Sequence, residues 1–201
     1  GCAEFFVALY FAQMEVALPF SMDGKNEDLF FLSNGHISPV FYSVLSRRGF
    51  FPINELNSFR LINSRLQGHP TTHEGLPGIR IASGSLGQGL SVSIGAALAK
   101  KINNDQKIIY TLIGDGELQE GQNWEALMFA AGKKVDNIIA TVDLNGKQID
   151  GSTNDVLPMG SLKDKFLAFG WEVIELREGN SIPHILKALG LAKSKLGNDK
   201  P

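Results

Sequence analysis

Two short runs rich in β-branched residues, Lys107 to Ile113 (KIIYTLI) and Asn137 to Asp143 (NIIATVD), each run into a glycine-marked loop. Such runs suit strands buried on both faces of a parallel sheet. Between them, Asn123 to Lys134 carries Trp124, Leu127, Met128 and Ala131 at intervals of three and four, which is helical spacing. A strand, a helix and a strand in that order put the two strands parallel, and the loops that follow parallel strands emerge at one edge of the sheet. Asp115 and Asn145, thirty residues apart, are therefore expected to meet there.

The first loop reads Gly114-Asp115-Gly116 and continues Glu117-Leu118-Gln119-Glu120-Gly121; the second reads Leu144-Asn145-Gly146. Glycines on both sides of Asp115 let the backbone turn sharply and approach a ligand, while the carboxylate offers a hard oxygen to a small divalent cation. Two side-chain oxygens and a nearby carbonyl make half of a Mg²⁺ or Ca²⁺ site. Mg²⁺ takes few protein ligands together with phosphate oxygens, so a diphosphate is expected to supply the rest. Asp-Gly and Asn-Gly are also common turn dipeptides, and either alone reads as a turn. Together, at the ends of two strands, they favour a metal-diphosphate grip. Glu117, Glu120 and Glu125 also suit a solvated acidic helix start stabilised by the helix dipole, and for Glu117 that is the expectation from the residues alone.

Ala82 to Lys101 is a glycine-rich turn leading into a small-residue helix (GLSVSIGAALAK) whose first N–H groups are free to meet an anion or a close-lying ligand atom. A tightly packed core helix explains the same small residues, and the two explanations are compatible. His36 and His69 stand in Gly- and Pro-rich loops, where an imidazole can face a cleft. His73 has no clear role, although His69 to His73 can bring both rings into one cleft. Pro70 and the nearby glycines argue against the helix that would align these two histidines on zinc.

The rest of the chain alternates in the same way. Helices are expected over 3–18, 39–48, 53–60, 89–101, 121–134, 161–169 and 181–194, with strands over 107–113, 138–143 and Trp171 to Leu176. The segments holding Ser33 to His36 and 67–78 are expected as loops, and 145–160 as a turn-rich stretch. This pattern describes an α/β fold, a doubly wound, mostly parallel sheet with helices on both faces. No repeat, low-complexity tract or linker divides residues 1–201, so a single domain is expected. A net charge of −2 with scattered cations gives no basic patch for nucleic acid. Apolar runs stay short of a membrane span, and the one cysteine, Cys2, permits no internal disulfide; a cytoplasmic setting is the default. No G-x-G-x-x-G follows a first strand, which argues against a dinucleotide-binding domain.

The Gly114 to Gly121 stretch, with Asn145, resembles the thiamine diphosphate motif of transketolases. Four further segments resemble that family in the same order: Leu32-Ser33-Asn34-Gly35-His36, Gln67-Gly68-His69-Pro70, Gly84-Ser85-Leu86-Gly87-Gln88-Gly89, and Phe169-Gly170-Trp171-Glu172-Val173. The resemblance implies that Asp115, Asn145 and the Lys147 carbonyl hold Mg²⁺ or Ca²⁺ on the diphosphate of thiamine diphosphate. Gly116 would donate a backbone N–H, with Gly114 and Glu117 beside it in the cofactor-binding set. It further implies that His36 faces the diphosphate, that His69 bonds the hydroxyls of the sugar donor, and that Gly84 and Leu86 lie against the cofactor rings. Glu120 and Glu125 match carboxylates at a self-associating subunit interface that couple two active sites.

The activity so implied is transfer of a two-carbon ketol unit from a ketose phosphate to an aldose phosphate. The family's pyrimidine-binding domain has no counterpart in this sequence, so a C-terminal partner subunit is expected to supply it. The apolar helix from Phe5 to Leu18 begins one turn into the chain, the family's preceding Ser-Gly-His-Pro loop is absent, and the sequence stops at Asp199-Lys200-Pro201. A first half truncated at both ends is therefore expected. Two rivals share part of this pattern: another thiamine diphosphate enzyme (a deoxyxylulose-phosphate synthase or the α-subunit of a 2-oxo acid dehydrogenase), and a binding module without turnover.

Overall fold

A computed structural model describes residues 2–201. Helix α1 (Ala3–Ala8) passes into a π-helical turn over Leu9–Gln13, and an irregular segment then leads to strand β1 (Leu29–Leu32). A short 3₁₀ turn (Gly35–Ile37) opens helix α2 (Ser38–Arg48), and α3 (Gln88–Ile102) precedes β2 (Ile109–Gly114). Helix α4 (Gly121–Gly132) connects β2 to β3 (Ile138–Asp143). A two-residue hairpin of β4 (Lys147–Gln148) and β5 (Gly151–Ser152) follows, with helices α5 (Thr153–Val156), α6 (Leu162–Ala168) and α7 (Ile182–Ser194) completing the chain.

The three long strands form one parallel sheet in the order β1-β2-β3. Alternation along β1 and β2 sorts their side chains between two cores. Phe30, Leu32, Tyr110 and Leu112 pack with Phe6, Tyr10, Phe41, Leu45, Ile185 and Leu189, on the side covered by α1, α2 and α7. Leu29, Phe31, Ile109 and Ile113 pack with Leu90, Ile94, Leu127 and Ala130 of α3 and α4 on the other. Helices thus cover both faces, as the alternating pattern requires.

Three expectations are corrected. The helix over 3–18 stops early because its backbone finds other partners: the Asp28 carboxylate accepts the Glu15 N–H at 3.0 Å, and the Glu27 carboxylate accepts the Ala17 N–H at 2.8 Å. Residues 29–32, not assigned to any element from sequence, form the edge strand β1, all four buried. Trp171 to Leu176 is not a strand: Glu172 donates to the Pro201 carbonyl at 2.8 Å, but no ladder forms there among the described residues. A lone backbone bond does not make a strand pair, which needs successive bonds along the chain.

Candidate functional site

Register places the ligand loops side by side. Gly114 at the end of β2 is paired with Asp143 at the end of β3, and the Asp115 N–H donates to the Asp143 carbonyl at 3.2 Å. The chain then turns so that the Asp115 carboxylate accepts the Gly116 N–H at 3.0 Å on one oxygen and the Gly146 N–H at 2.8 Å on the other. Asn145 folds into a local turn in which its Oδ1 accepts the Lys147 N–H at 2.8 Å and its Nδ2 donates to Asp143 at 3.0 Å. A Cβ on Gly116 would lie 2.7 Å from the Gln148 Cβ and 3.4 Å from the Lys147 carbonyl oxygen, so only glycine lets the two loops approach this closely. The structure therefore brings together Asp115, Gly116, Asn145, Gly146 and Lys147.

Asp115 is 3% exposed and has no Lys, Arg or His within ion-pair distance among the described residues. A buried carboxylate without a cation carries a desolvation penalty that a bound cation would relieve. No group of three or more His, Cys, Asp or Glu side chains arranged for a metal occurs among the described residues. The donor set is one carboxylate, one amide and one carbonyl, hard oxygens too few to enclose a cation. It fits a divalent ion that keeps part of its shell for phosphate oxygens. Beside it, the Asn34 Oδ1 is buried without a partner, and a Cβ on Gly114 would meet the Asn34 side chain at 3.6 Å.

Glu117 departs from its expected place on a solvated helix start. It is 2% exposed, and its carboxylate accepts the Ser33 hydroxyl, the Gly87 N–H at 2.8 Å and the Gly114 N–H at 3.1 Å. Backbone amides, rather than water, absorb the charge here. Sequence reasoning missed this because Ser33 lies far away in the chain and the strand that presents it was not assigned.

The histidines gather on the neighbouring loops. The His36 and His69 rings meet edge-to-face with centroids 5.0 Å apart, and both side chains are exposed. Gly84, at φ +110°, lies so close that a Cβ there would be 2.8 Å from the His69 ring. The same loop presents Ser83, whose hydroxyl is buried without a partner, and Leu86, whose carbonyl accepts from Gln122 at 3.0 Å. A cleft of about 420 Å³ opens beside His69, lined by Arg60, Gln67, Gly68, His69, Thr71 and Glu74. His73 is not among its lining residues, so the cleft does not join the two histidines. Glu120 and Glu125 are exposed at the start of α4, and the same helix exposes Met128 and Phe129. Cys2 is buried near Asp143; burial first, then that carboxylate, pushes its thiol up to about 12.

A family model described as transketolase, thiamine diphosphate binding domain, matches residues 1–201. The 6-deoxy-6-sulfo-D-fructose transketolase subunit SqwG of Clostridium sp. (strain MSTE9) is 40% identical over 96% of this chain, which spans 70% of that relative. An apulose-4-phosphate transketolase subunit of Actinobacillus succinogenes is 38% identical over 98% of the chain, again covering 70% of the relative. The crystal structure of a transketolase from Pichia stipitis with sedoheptulose 7-phosphate superposes with a TM-score of 0.90 at 31% identity; it covers 100% of this chain, which spans 31% of that one. The human transketolase is 37% identical over 96% of the chain, here 30% of the relative's length.

Proposed function

This chain belongs to the transketolase family as its N-terminal, thiamine diphosphate binding domain, and from that membership we propose that it works with a partner subunit to move a two-carbon ketol unit between sugars. Thiamine diphosphate, when bound, supplies the electron sink that lets the bond beside a ketose carbonyl break. Asp115, Asn145 and the Lys147 carbonyl would hold a divalent cation, Mg²⁺ or Ca²⁺, for the cofactor's diphosphate, and the glycines of the Gly114 to Gly116 loop would let that group approach the backbone. His36 stands at the diphosphate side. His69, at the mouth of the cleft, would hydrogen-bond the hydroxyls of the donor sugar.

The names of two relatives, acting on sulfofructose and apulose 4-phosphate, point to a donor with an anionic end. Arg60 is the cation that lines the cleft next to His69, which suits such a group. A partner carrying the pyrimidine-binding domain completes the site, and Glu120 and Glu125, exposed on α4 beside Met128 and Phe129, lie on the face that meets a second subunit.

The observation that carries it is the buried Asp115 carboxylate, without a Lys, Arg or His ion pair among the described residues and held by the Gly116 and Gly146 N–H groups at the joint of the two strand-end loops. Titration calorimetry with thiamine diphosphate and Mg²⁺ tests it. The unmodified protein is expected to bind only with the metal present, and Asp115→Ala to weaken binding by about 100-fold or more while the circular dichroism spectrum is retained. Undiminished metal-dependent binding by Asp115→Ala would remove the grip from the proposal.

A further inference from the structure

The carboxylate of Glu117 ties together three parts of the chain that are far apart in sequence. One oxygen takes the Ser33 hydroxyl at the end of β1 and the Gly87 N–H at the start of α3; the other takes the Gly114 N–H at the end of β2. The Glu117 carbonyl in turn accepts the Asn123 side-chain amide at 2.7 Å, fixing the first turn of α4 to the same point. Each of these anchor points opens directly onto a loop assigned to the ligand: Ser33 onto Asn34 to His36, Gly87 onto Gly84 to Leu86, and Gly114 onto Asp115 and Gly116.

The surroundings leave these loops no slack. A Cβ on Gly89 would fall 2.3 Å from the Ser33 hydroxyl oxygen and 2.7 Å from its Cα, and one on Gly35 would fall 2.7 Å from the Ser83 hydroxyl and 2.8 Å from the Gly84 nitrogen. Three loops packed this tightly need a common tether, and the tether must accept on both oxygens. An amide in its place offers one oxygen, so whichever way it is turned its NH₂ confronts a backbone N–H, Gly87 or Gly114. An aspartate, one methylene shorter, does not span all three donors.

We propose that Glu117 is a positioning residue that locks the His36, Gly84 and Asp115 loops into a single arrangement before ligand arrives, without touching the ligand itself. Preorganisation of this kind acts on affinity because the ordering cost is met by folding and not by binding. The part of the proposal that concerns ligand rests on the thiamine diphosphate assignment made above; the part that concerns the loops does not.

The test uses the complete protein carrying Glu117→Gln, with Leu189→Ala as a comparator that lowers stability from the α7 core on the other face of the sheet. Two quantities are measured well below the melting temperature: affinity for thiamine diphosphate with Mg²⁺, and hydrogen exchange at the Gly87 and Gly114 amides. Glu117→Gln is expected to weaken affinity by about tenfold or more and to speed exchange at both glycines by a similar factor, whereas Leu189→Ala leaves affinity within about twofold. If Glu117→Gln does not fold, Ser33→Ala, which removes one donor and keeps the carboxylate, is expected to loosen the Gly87 amide by about threefold or more. Unchanged protection at Gly87 and Gly114 overturns the lock, and so does affinity that falls equally in the comparator. Loss of cofactor binding in the unmodified protein would instead defeat the functional assignment, with the exchange measurement still deciding the lock.

Discussion

At the scale of single residues, the site depends on which carboxylates are free to meet a cation and which are consumed by backbone. Asp115 and Glu117 stand two positions apart, both nearly sealed from water at 3% and 2% exposure, yet they do different work. Asp115 is bonded by the turn it makes and by the next strand's loop, whereas Glu117 reaches backward to β1 and α3. His69 belongs to neither group: it is exposed, in edge contact with His36, and opens on the cleft that carries Arg60. His69→Ala is therefore expected to lower kcat/KM for the donor sugar by about tenfold or more, about 1.4 kcal/mol, in the protein reconstituted with its partner, with cofactor affinity changing far less. Steady-state kinetics against calorimetry separates the two, and an unaltered donor KM with full kcat would remove His69 from the sugar step. The meeting of the Asp115 and Asn145 loops was legible in the sequence because the rule that parallel strands deliver their loops to one edge needs only local patterns. Glu117 was not, because an acid after a glycine looks the same whether the helix dipole or a distant serine receives it.

At the scale of elements, legibility follows how local the cause is. Helices α2, α4, α6 and α7 sit close to their expected bounds because their own signals suffice: α2 ends at Gly49 with φ +97°, and the Ser161 hydroxyl caps α6 by accepting the Asp164 N–H at 3.2 Å. The segment after α1 was misjudged because carboxylates at Glu27 and Asp28 claim its N–H groups, a cause ten or more residues away. Strand β1 has four residues, Leu29 to Leu32, too short a run for period alone to separate strand from helix. The small-residue face of α3 left two explanations open, and the structure shows close packing at its first turn. Ala in place of Gly89 gains up to about 1 kcal/mol of helix propensity, but its Cβ meets Ser33 at contacts that include backbone, and overpacking costs about 1–3 kcal/mol. Gly89→Ala is thus expected to lower stability and Gly95→Ala, with nothing within 4 Å of its Cβ, to raise it by about 0.5–1 kcal/mol. Urea unfolding of the two variants checks the pair; equal shifts would mean that α3 does not press on β1 as described.

At the scale of the whole molecule, the sheet has one edge whose loops are proposed to meet ligand and an opposite, fastening edge, and acidic residues stand at both. Before β1, β2 and β3 stand Asp28, Asp105 and Asp136, each tying the start of its strand to a neighbour. Asp28 accepts the Glu15 and Ile108 N–H groups at 3.0 and 2.8 Å, Asp105 accepts Lys100 Nζ at 2.6 Å and the Lys107 N–H at 3.0 Å, and Asp136 accepts Lys101 Nζ at 2.6 Å. Near this edge Arg80 and Glu27 form a pair at 2.7 Å, nearly buried on both sides, and Arg80 also donates to the carbonyls of Ser21 and Met22, holding the irregular segment against the body. These fastening groups lie at the opposite edge from the loops proposed to meet ligand, so the two edges can be tested apart.

Acid provides that separation. Burial acts most strongly on Asp105 and works against its charge, but the hydrogen bonds from Lys100, the Lys107 N–H and the Asn26 N–H outweigh it and hold the carboxyl below its usual value of 3.8. Asp136 is lowered in the same way, with Lys101 and the Asp199 N–H overcoming burial. A carboxyl whose folded value lies below its unfolded one adds stability that is fully present above the unfolded value, near pH 4, and is lost as pH falls through the folded value. The ties made by Asp105 and Asp136 are therefore expected to loosen in acid below about pH 4. Asp105→Asn keeps one acceptor but turns an NH₂ toward the donors around Lys100, so stability at pH 7 should fall while the further loss between pH 4 and pH 2 becomes smaller than in the unmodified protein. Guanidinium midpoints across that range measure both effects in one series. If the variant loses as much on acidification as the unmodified chain, the Asp105 carboxylate is not what acid removes, and its place in the fastening edge fails with it.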